Sequence, residues 1–195
     1  MIIVTGGAGF IGSNIAQELS KTNKVVICDK LNDPAKKKNI SSIKGIKIIK
    51  IEEIFSFVQK NKKKISAVIH MGAISATDET NLELLLSNNY LYSLKLFNIC
   101  NKYNIKFIYA SSAATYGNSF DYYDDENSFD NFLKLKPVNY YGLSKHLFDL
   151  HILSLIKSGE KLGSNPVGLK FFNVYGPNEL HKGFMMSPIP KFLKE

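Results

Sequence analysis

The chain has 195 residues, of which 45% are hydrophobic, a composition typical of a globular protein with one good core. No apolar run reaches the roughly 18 residues that a transmembrane helix needs. The net charge of +8 comes from 25 basic and 17 acidic residues, but arginine is absent. A nucleic-acid module is therefore disfavoured, because base and phosphate recognition commonly uses bidentate arginine contacts.

The start of the chain and its cysteines restrict the cellular setting. Met1 leads directly into an apolar segment, without the charged region and cleavage site of a secretory signal, so we expect a cytoplasmic protein. Cys28 and Cys100 are far apart in sequence, and neither they nor the four histidines have the spacing of metal ligands. We expect no metal site and no disulfide bond.

Short β-branched segments alternate with helical patterns along the chain. Strands are predicted at residues 2–5, 24–29, 46–51, 65–70, 105–111 and 167–172. Helices are predicted around residues 11–19, at 53–61, 80–101 and 140–157, and near 187, with loops at 30–45 and 117–137. This alternation predicts a doubly wound α/β fold, a parallel sheet covered on both faces. Ligands are expected at the carboxyl ends of its strands.

The segment "VTGGAGFIGSN" places Gly6, Gly9 and Gly12 between the first strand and the first helix. Gly6 is expected to form the tight turn, Gly9 to let the backbone approach a pyrophosphate, and Gly12 to let the helix pack closely. The N-terminus of the helix offers free N–H groups to an anion. Residues 1–172 are therefore predicted to be a dinucleotide-binding Rossmann domain, and residues 173–195 to begin a substrate-binding region.

Asp29 ends the second predicted strand, where the ribose of adenosine usually binds. A carboxylate there suits the free 2′-hydroxyl of NAD. However, Lys30 follows at once and Lys36 to Lys38 lie nearby, and such cations suit a 2′-phosphate. We expect NADP to be preferred, with NAD as the alternative.

Tyr141 and Lys145 form a Tyr-x-x-x-Lys pair on the predicted helix at 140–157, and positions four apart share one helical face. Leu143, Leu147 and Leu150 are expected to anchor the opposite face in the core. An ammonium near a phenol lowers the pKa of the phenol. A phenolate formed in this way can take a proton from an alcohol while a hydride leaves to a nicotinamide. Ser112, after the fifth predicted strand, is expected to hydrogen-bond the same oxygen.

The motifs "TGGAGFIGSN", "HMGA", "YASSAATYG", "YGLSK" and "FFNVYGP" resemble those of extended short-chain dehydrogenases/reductases that act on nucleotide sugars. The segments "YASSAATYG" and "FNVYGPNELHKG" together resemble more narrowly the heptose 6-epimerases that convert ADP-D-glycero-D-manno-heptose to ADP-L-glycero-D-manno-heptose. The resemblance implies bound NADP, transient oxidation at C6 to a 6-keto sugar, and return of the hydride to the other face. It also implies a homo-oligomer that supplies a precursor of the lipopolysaccharide core.

The same resemblance implies a role for each matching residue. Tyr141 and Lys182 would be the two acid/base groups, Ser112 would assist, and Lys145 would bind the nicotinamide ribose. Substrate would be contacted by Ser112, Asn173 and Lys182. Beyond the three glycines, Tyr141 and Lys145, the residues implied to line the cofactor are Phe10, Ile11, Asp29, Lys30, Lys36, Met71, Gly72, Ala73, Ile74, Ser75, Asn88 and Val174.

Other readings remain open. A UDP-hexose 4-epimerase uses the same machinery, whereas a 4,6-dehydratase needs a carboxyl pair where this chain has Ala113 to Thr115. A non-catalytic dinucleotide-binding protein is a further alternative. Phe184 to Met186 and Lys191 depart from the heptose epimerase pattern, which weakens the inference about sugar contacts. Such enzymes also extend well beyond 195 residues, so we expect most of the substrate region to be missing here.

Overall fold

The computed structural model describes residues 1–118 and 128–192 of the chain. Its strands form a parallel sheet in the order β3-β2-β1-β4-β5-β6. The strands are β1 (Ile2–Thr5), β2 (Val25–Cys28), β3 (Lys47–Ile49), β4 (Ala67–His70), β5 (Lys106–Ser112) and β6 (Val167–Phe171). Strand order and type confirm the predicted α/β fold, and the predicted strand ends differ from the observed ones by at most two residues.

Helices connect the strands throughout the described residues. They are α1 (Phe10–Ser20), α2 (Pro34–Ile40), α3 (Ile54–Asn61), α4 (Leu82–Leu85), α5 (Tyr92–Lys102), α6 (Phe129–Phe132), α7 (Tyr140–Lys157) and α8 (Pro188–Phe192). Short 3₁₀ turns occupy Ile51–Glu53, Ala113–Thr115 and Leu180–Met185. The predicted bounds of α7 are confirmed, and its Asn139 side chain caps the first turn through Gly142 N–H at 2.7 Å.

Helix α2 lies where the sequence analysis expected only a loop. The side chain of Asp33 accepts a hydrogen bond from Ala35 N–H at 2.8 Å, and Pro34 stands at the first helical position. Asp as the N-cap followed by Pro is a standard helix start. The lysine-rich composition of the helix concealed this signal, because α2 has few apolar positions.

The long helix predicted at 80–101 is divided in the structure. Leu86–Leu91 forms a π-helical turn between α4 and α5. A π turn inserts an extra residue into the helical ladder and is often found at functional sites. Here it directs the side chain of Asn89 into the protein interior, where it is 1% exposed.

The chain divides into two compact units, of which the first comprises Met1–Gly72 with Asn173–Glu195. In the first unit β1 pairs in parallel with β2 and β4, so that Ile3 lies opposite Val26 and Val68. Its core is built from buried aliphatic side chains on one side of these strands, namely Val4, Ala8, Ala16, Val25, Ile27, Ile40 and Ile43. This packing fixes the strand ends that carry the glycine turn and Asp29.

The second unit comprises Ala73–Phe172 and is organised around aromatic rings. Phe148 of α7 packs edge-on against Tyr109 of β5, with ring centroids 4.8 Å apart. Tyr116, Phe132 and Leu135 form a smaller cluster beside α7. These contacts fix α7 against the carboxyl end of β5. The assignment of residues 1–172 to dinucleotide binding and 173–195 to substrate binding stays a prediction.

Candidate active site

In the first unit, the turn after β1 is made of closely packed backbone. Gly6 has a φ of 61°, and a Cβ there would lie 2.7 Å from the backbone of Gly72. A Cβ on Gly12 would collide with the carbonyl oxygen of Gly6. Both positions therefore require glycine, which confirms the predicted tight turn and close helix packing.

Gly9 is the N-cap of α1, and a Cβ added there would lie 3.2 Å from the carbonyl oxygen of Gly6 and 3.8 Å from His181 Nε2. The next residues, Phe10 and Ile11, open the helix, whose first N–H groups have no acceptor within the helix itself. A surface without side-chain atoms next to free N–H groups fits the pyrophosphate of a dinucleotide.

Asp29, directly after β2, is buried and bound by several donors. Its Oδ2 atom accepts from Ala8 N–H at 2.9 Å, and Oδ1 accepts from Lys30 N–H at 2.7 Å and Lys36 Nζ at 3.0 Å. The side chain of Lys30 is exposed, whereas that of Lys36 is 26% exposed in its ion pair with Asp29. The carboxylate thus fastens the glycine turn to β2, a role the sequence analysis missed.

Met71 and Gly72 follow β4 and contact β1 through backbone groups. Met71 N–H donates to Thr5 O at 3.2 Å, and Gly72 N–H donates to Thr5 Oγ1 at 3.1 Å. The buried His70 Nδ1 lies 2.6 Å from the same hydroxyl oxygen. Gly72 is therefore held directly against the glycine turn, as expected for a residue that lines the cofactor.

Lys182, in the 3₁₀ turn Leu180–Met185, is 26% exposed and makes two contacts within the first unit. Its ammonium lies 3.8 Å from the carboxylate of Glu179 and 5.2 Å from the centroid of the Phe10 ring. The described side chain thus lies beside the first turn of α1. Asn173 and Val174, which precede this turn, are exposed.

Glu179 holds the segment that carries Lys182. The carboxylate is 2% exposed and accepts from Gly176 N–H at 2.9 Å and from Ser187 N–H at 2.8 Å. Burial alone would raise its pKa, but these hydrogen bonds and the nearby Lys182 lower it. An ionised, buried carboxylate that binds both ends of the segment fixes the backbone around Lys182.

In the second unit, Tyr141, Ser112 and Lys145 come together at the end of β5. Ser112 is the last residue of β5, and its side chain lies close enough to Tyr141 to lower the pKa of the phenol. Lys145, one turn further along α7 and 5% exposed, donates to Ala110 O at 2.9 Å. The structure thus places a phenol and a hydroxyl close together, with an ammonium one helical turn from the phenol, and their shared catalytic role stays a prediction.

The pKa of Tyr141 differs from the sequence-based expectation. Burial raises it above 10.0, and the hydrogen bond with Ser112 lowers it. Burial also lowers the pKa of Lys145 to about 8, partly offset by the negative charge of Asp149. The expectation that Lys145 would lower the phenol's pKa was therefore wrong for the chain by itself, because desolvation outweighs the favourable interactions.

Asn89, to which the sequence analysis gave no role, hydrogen-bonds one of the residues predicted to line the cofactor in the second unit. Its Oδ1 accepts from Ile74 N–H, and its Nδ2 donates to Ile74 O, both at 2.9 Å, and to Ser144 Oγ at 3.0 Å. Asn89 thereby ties the segment around Ala73, Ile74 and Ser75 to α7. Asn88 is exposed and donates to Leu84 O, so its role at the cofactor stays a prediction.

A network of buried charged and polar side chains supports the backbone of Ser112. Asp149 accepts from Tyr109 Oη at 3.0 Å, Ser111 Oγ at 2.6 Å and Lys170 Nζ at 3.1 Å. Lys170 also donates to Thr115 Oγ1, and Thr115 Oγ1 donates to the carbonyl oxygen of Ser112 at 2.8 Å. The backbone of Ser112 is thus held through polar side chains that no local sequence pattern identified.

The buried side of α7 also differs from the prediction. Lys145, Phe148, Asp149 and Ile152 are buried, whereas Leu143 and the other two predicted anchors are only partly so. Lys145 and Asp149 can be buried because the Ala110 carbonyl and the hydrogen-bond donors to Asp149 satisfy them, whereas the buried His146 Nδ1 has no hydrogen-bond partner among the described residues.

The described residues contain neither a cluster of metal ligands nor a membrane-spanning helix. No group of His, Cys, Asp or Glu side chains there could hold a metal ion. No helix within those ranges is long and apolar enough to cross a membrane.

Comparison with known proteins identifies the relatives of this chain. The family model described as "NAD dependent epimerase/dehydratase family" matches residues 2–195. ADP-L-glycero-D-manno-heptose-6-epimerase from Brachyspira hyodysenteriae is 43% identical over 96% of this chain and 58% of its own length. The enzyme of the same name from Fusobacterium nucleatum is 44% identical over 97% of this chain and 57% of its own length.

Solved structures that are similar to this chain also include sugar epimerases. ADP-L-glycero-D-manno-heptose-6-epimerase from Helicobacter pylori superposes with a TM-score of 0.80 at 34% identity, covering 97% of this chain and 60% of that one. A UDP-N-acetylglucosamine 4-epimerase from Methanobrevibacter ruminantium gives 0.82 at 32% identity, covering 99% and 61%. The chain therefore spans less than two thirds of the relatives it matches.

Proposed function

Because the chain belongs to the NAD-dependent epimerase/dehydratase family, we propose that the complete protein inverts C6 of ADP-D-glycero-D-manno-heptose. The observation that carries this proposal is the proximity of the Ser112 and Tyr141 side chains, with Lys145 one helical turn away from Tyr141 on α7. This grouping provides a proton acceptor for a sugar hydroxyl in a chain that also carries a dinucleotide turn. The ADP-heptose epimerases from Brachyspira and Fusobacterium support the choice of sugar.

The residues present fit a bound dinucleotide. Gly6 and Gly12 let the turn and α1 pack closely, and Gly9, the N-cap, puts no side chain beside the first N–H groups of the helix, which begins at Phe10 and Ile11. When bound, NADP would supply the redox chemistry, a reversible hydride transfer at C6 of the sugar. The chain itself has to move protons and orient the substrate.

Each acid/base group has a proposed task. Tyr141 takes the proton of the C6 hydroxyl in one orientation of the sugar, while Ser112 hydrogen-bonds the same oxygen. Lys182 acts as the acid/base group for the same oxygen when the sugar is in the other orientation, since one tyrosine cannot reach both faces of the sugar. Lys145 holds the nicotinamide ribose, and Asn173 contacts substrate.

NADP rather than NAD is the proposed cofactor. Lys36 is held beside the buried Asp29 by an ion pair, and the exposed Lys30 adjoins them. Two cations at this position favour a 2′-phosphate over a free hydroxyl. Asn88 and Val174 are proposed to complete the cofactor contacts.

Dehydration is not proposed. The 3₁₀ turn Ala113–Thr115 that follows Ser112 carries no carboxyl group to drive loss of water. Epimerisation at C4 of a UDP-hexose is the second candidate, favoured by the similarity to the Methanobrevibacter enzyme. We further propose a cytoplasmic homo-oligomer that supplies a lipopolysaccharide precursor, and light scattering of the complete protein measures the oligomer.

The decisive experiment uses the complete gene product with ADP-D-glycero-D-manno-heptose and follows inversion at C6 by NMR. UDP-glucose and UDP-N-acetylglucosamine are tested in parallel for inversion at C4. Turnover of the heptose alone supports the proposal, whereas turnover of a UDP-hexose alone replaces it with the second candidate. Bound dinucleotide with no turnover of any of these sugars would indicate a non-catalytic binding protein.

A further inference from the structure

His181 lies beside Gly9 of the glycine turn, and within the described residues its ring makes hydrogen-bond contacts through Nδ1 but not through Nε2. We propose that His181 hydrogen-bonds the diphosphate of the bound dinucleotide through Nε2 and takes up a proton from solvent when it does so. The proposal rests on the dinucleotide cofactor proposed above. His181 belongs to the segment "FNVYGPNELHKG", and the sequence analysis gave it no role of its own.

The hydrogen-bond network around Asn39 determines which ring nitrogen carries the proton. Asn39 Nδ2 has two hydrogens, and it donates to Ala8 O at 3.0 Å and to Asn178 O at 3.1 Å. It has no hydrogen left for His181 Nδ1, which lies 3.3 Å away. His181 Nδ1 is also 3.1 Å from Asn178 O, and a carbonyl oxygen can only accept. Nδ1 therefore donates, and in neutral His181 the proton is absent from Nε2.

Nε2 is also the nitrogen nearest the glycine turn, since a Cβ on Gly9 would lie 3.8 Å from it. The same network fixes this position, because Asn39 joins Ala8 of the turn to Asn178 of the segment that carries His181. Asn178 Nδ2 adds a hydrogen bond to Ser13 Oγ at 3.0 Å. The imidazole is therefore held at the surface that glycine leaves open, within the first unit.

The charges around His181 favour an anion and disfavour a free imidazolium. Burial lowers the pKa of His181 below 6.5, and Lys36 and Lys182 lower it further, while the Asn178 carbonyl and Asp33 raise it. The neutral imidazole thus predominates at neutral pH without ligand. A diphosphate brought into this environment supplies the missing negative charge.

A diphosphate offers only acceptor oxygens, and neutral His181 presents only a lone pair at Nε2. The two can form a hydrogen bond only if Nε2 gains a proton, and moving the proton from Nδ1 would leave the Nδ1 lone pair facing the carbonyl oxygen of Asn178, 3.1 Å away. The proton therefore has to come from solvent. The imidazolium then donates from Nδ1 to Asn178 and from Nε2 to phosphate oxygen, a charge-assisted bond. Dinucleotide binding is therefore coupled to uptake of one proton.

The test is isothermal titration calorimetry of the complete gene product with NAD⁺ at pH 7, in buffers of different ionisation enthalpy. NAD⁺ is the better probe because its diphosphate does not titrate near neutral pH, whereas a 2′-phosphate monoester has a pKa of about 6. We expect net proton uptake on binding. The affinity for NAD⁺ should fall as the pH rises above neutral, by at most about tenfold per pH unit.

The variant His181→Asn retains a donor near the position of Nδ1 and removes Nε2. It should abolish the proton uptake and flatten the pH dependence of binding, with about tenfold weaker affinity at pH 6.5. The matched control is His151→Asn, because His151 is partly buried on α7 in the second unit, and its pKa is likewise lowered by burial. This control should bind like the unmodified protein.

The outcomes separate the two proposals. Binding of NAD⁺ without proton uptake, or unchanged uptake in His181→Asn, overturns the role of His181 and leaves the proposed function standing. Uptake with NADP⁺ but not with NAD⁺ also overturns it, since the 2′-phosphate would then be responsible. Failure to bind either dinucleotide overturns the proposed function and this inference together.

Discussion

The ammonium of Lys145 donates a hydrogen bond to the carbonyl oxygen of Ala110, 2.9 Å away. The bond joins the helix that carries Tyr141 to the strand that ends in Ser112. Lys145 is only 5% exposed, so the bond forms away from solvent. Lys145 therefore has a structural role in the chain itself, in addition to the contact with nicotinamide ribose that we propose.

The buried state of Lys145 predicts a pH dependence of stability. The native state releases the proton near its pKa of about 8, whereas the unfolded chain holds it to about 10.5. The unfolded state therefore binds more protons in this range, and stability rises with pH. Relative to Lys145→Met, the unmodified protein should gain up to about 3 kcal/mol between pH 8 and pH 10.5, measured by denaturant unfolding. The exposed Lys161→Met is the control, and parallel curves for Lys145→Met and the unmodified protein would contradict the prediction.

Ser112 is predicted to set the working pH of Tyr141. Burial raises the pKa of Tyr141 and the hydrogen bond with Ser112 lowers it, so Ser112→Ala should raise it further. We expect kcat at pH 7 to fall about a hundredfold and the rising limb of the pH–rate profile to move to higher pH. Ser112→Thr, which retains the hydroxyl, should restore the profile. An unchanged limb in Ser112→Ala would show that Ser112 does not act on the phenol.

Lys182 and Tyr141 are predicted to be needed for opposite orientations of the sugar. Lys182→Met and Tyr141→Phe should each lower the rate of C6 inversion by about 10² to 10⁴, as measured by NMR. The double variant should be little slower than the slower single variant, because loss of either group already blocks inversion. Dinucleotide binding serves as the control for folding. Full epimerisation by Lys182→Met would refute the two-base scheme.

The cations near Asp29 are predicted to select NADP. Lys36→Ala and Lys30→Ala should each weaken NADP binding by about tenfold and change NAD binding little, because each removes a charge-assisted contact to the 2′-phosphate. Dissociation constants for both dinucleotides give the preference directly. Lys63→Ala, an exposed lysine of the same unit, is the control. An unchanged ratio of the two constants in both variants would remove the case for NADP.

Because Asp149 and Lys170 form a buried ion pair, we expect the effects of their substitutions on the free energy of unfolding to be strongly coupled. Their side chains are 4% and 16% exposed, so either single variant, Asp149→Asn or Lys170→Met, leaves a largely buried charge without its partner. Each should cost about 3–5 kcal/mol of unfolding free energy, and the double variant less than the sum. The pair of Lys157 and Asp130, which are 53% and 68% exposed, is the control and should contribute under about 1 kcal/mol. Additive losses for Asp149 and Lys170 would contradict the coupling.

Local sequence patterns were sufficient for the fold and for placing Tyr141 and Lys145 on one helix, α7. Alternating strand and helix periods leave few arrangements other than a parallel sheet, because crossovers between parallel strands have a fixed hand. A Tyr-x-x-x-Lys pair must share a helical face whatever the rest of the chain does. The start of α2 at Asp33 and Pro34 could also have been predicted from the sequence, but the lysines that follow leave this helix few apolar positions.

The polar groups that hold the site were decided by tertiary structure. Asp149 meets Lys170, and Asn39 meets His181, across long separations in sequence, and the π turn that buries Asn89 has no local signature. The raised pKa of Tyr141 also follows from burial, which only the folded chain reveals. The physical reason is that periodicity and spacing act along the chain, whereas desolvation and hydrogen-bond partners are set by what the fold brings together.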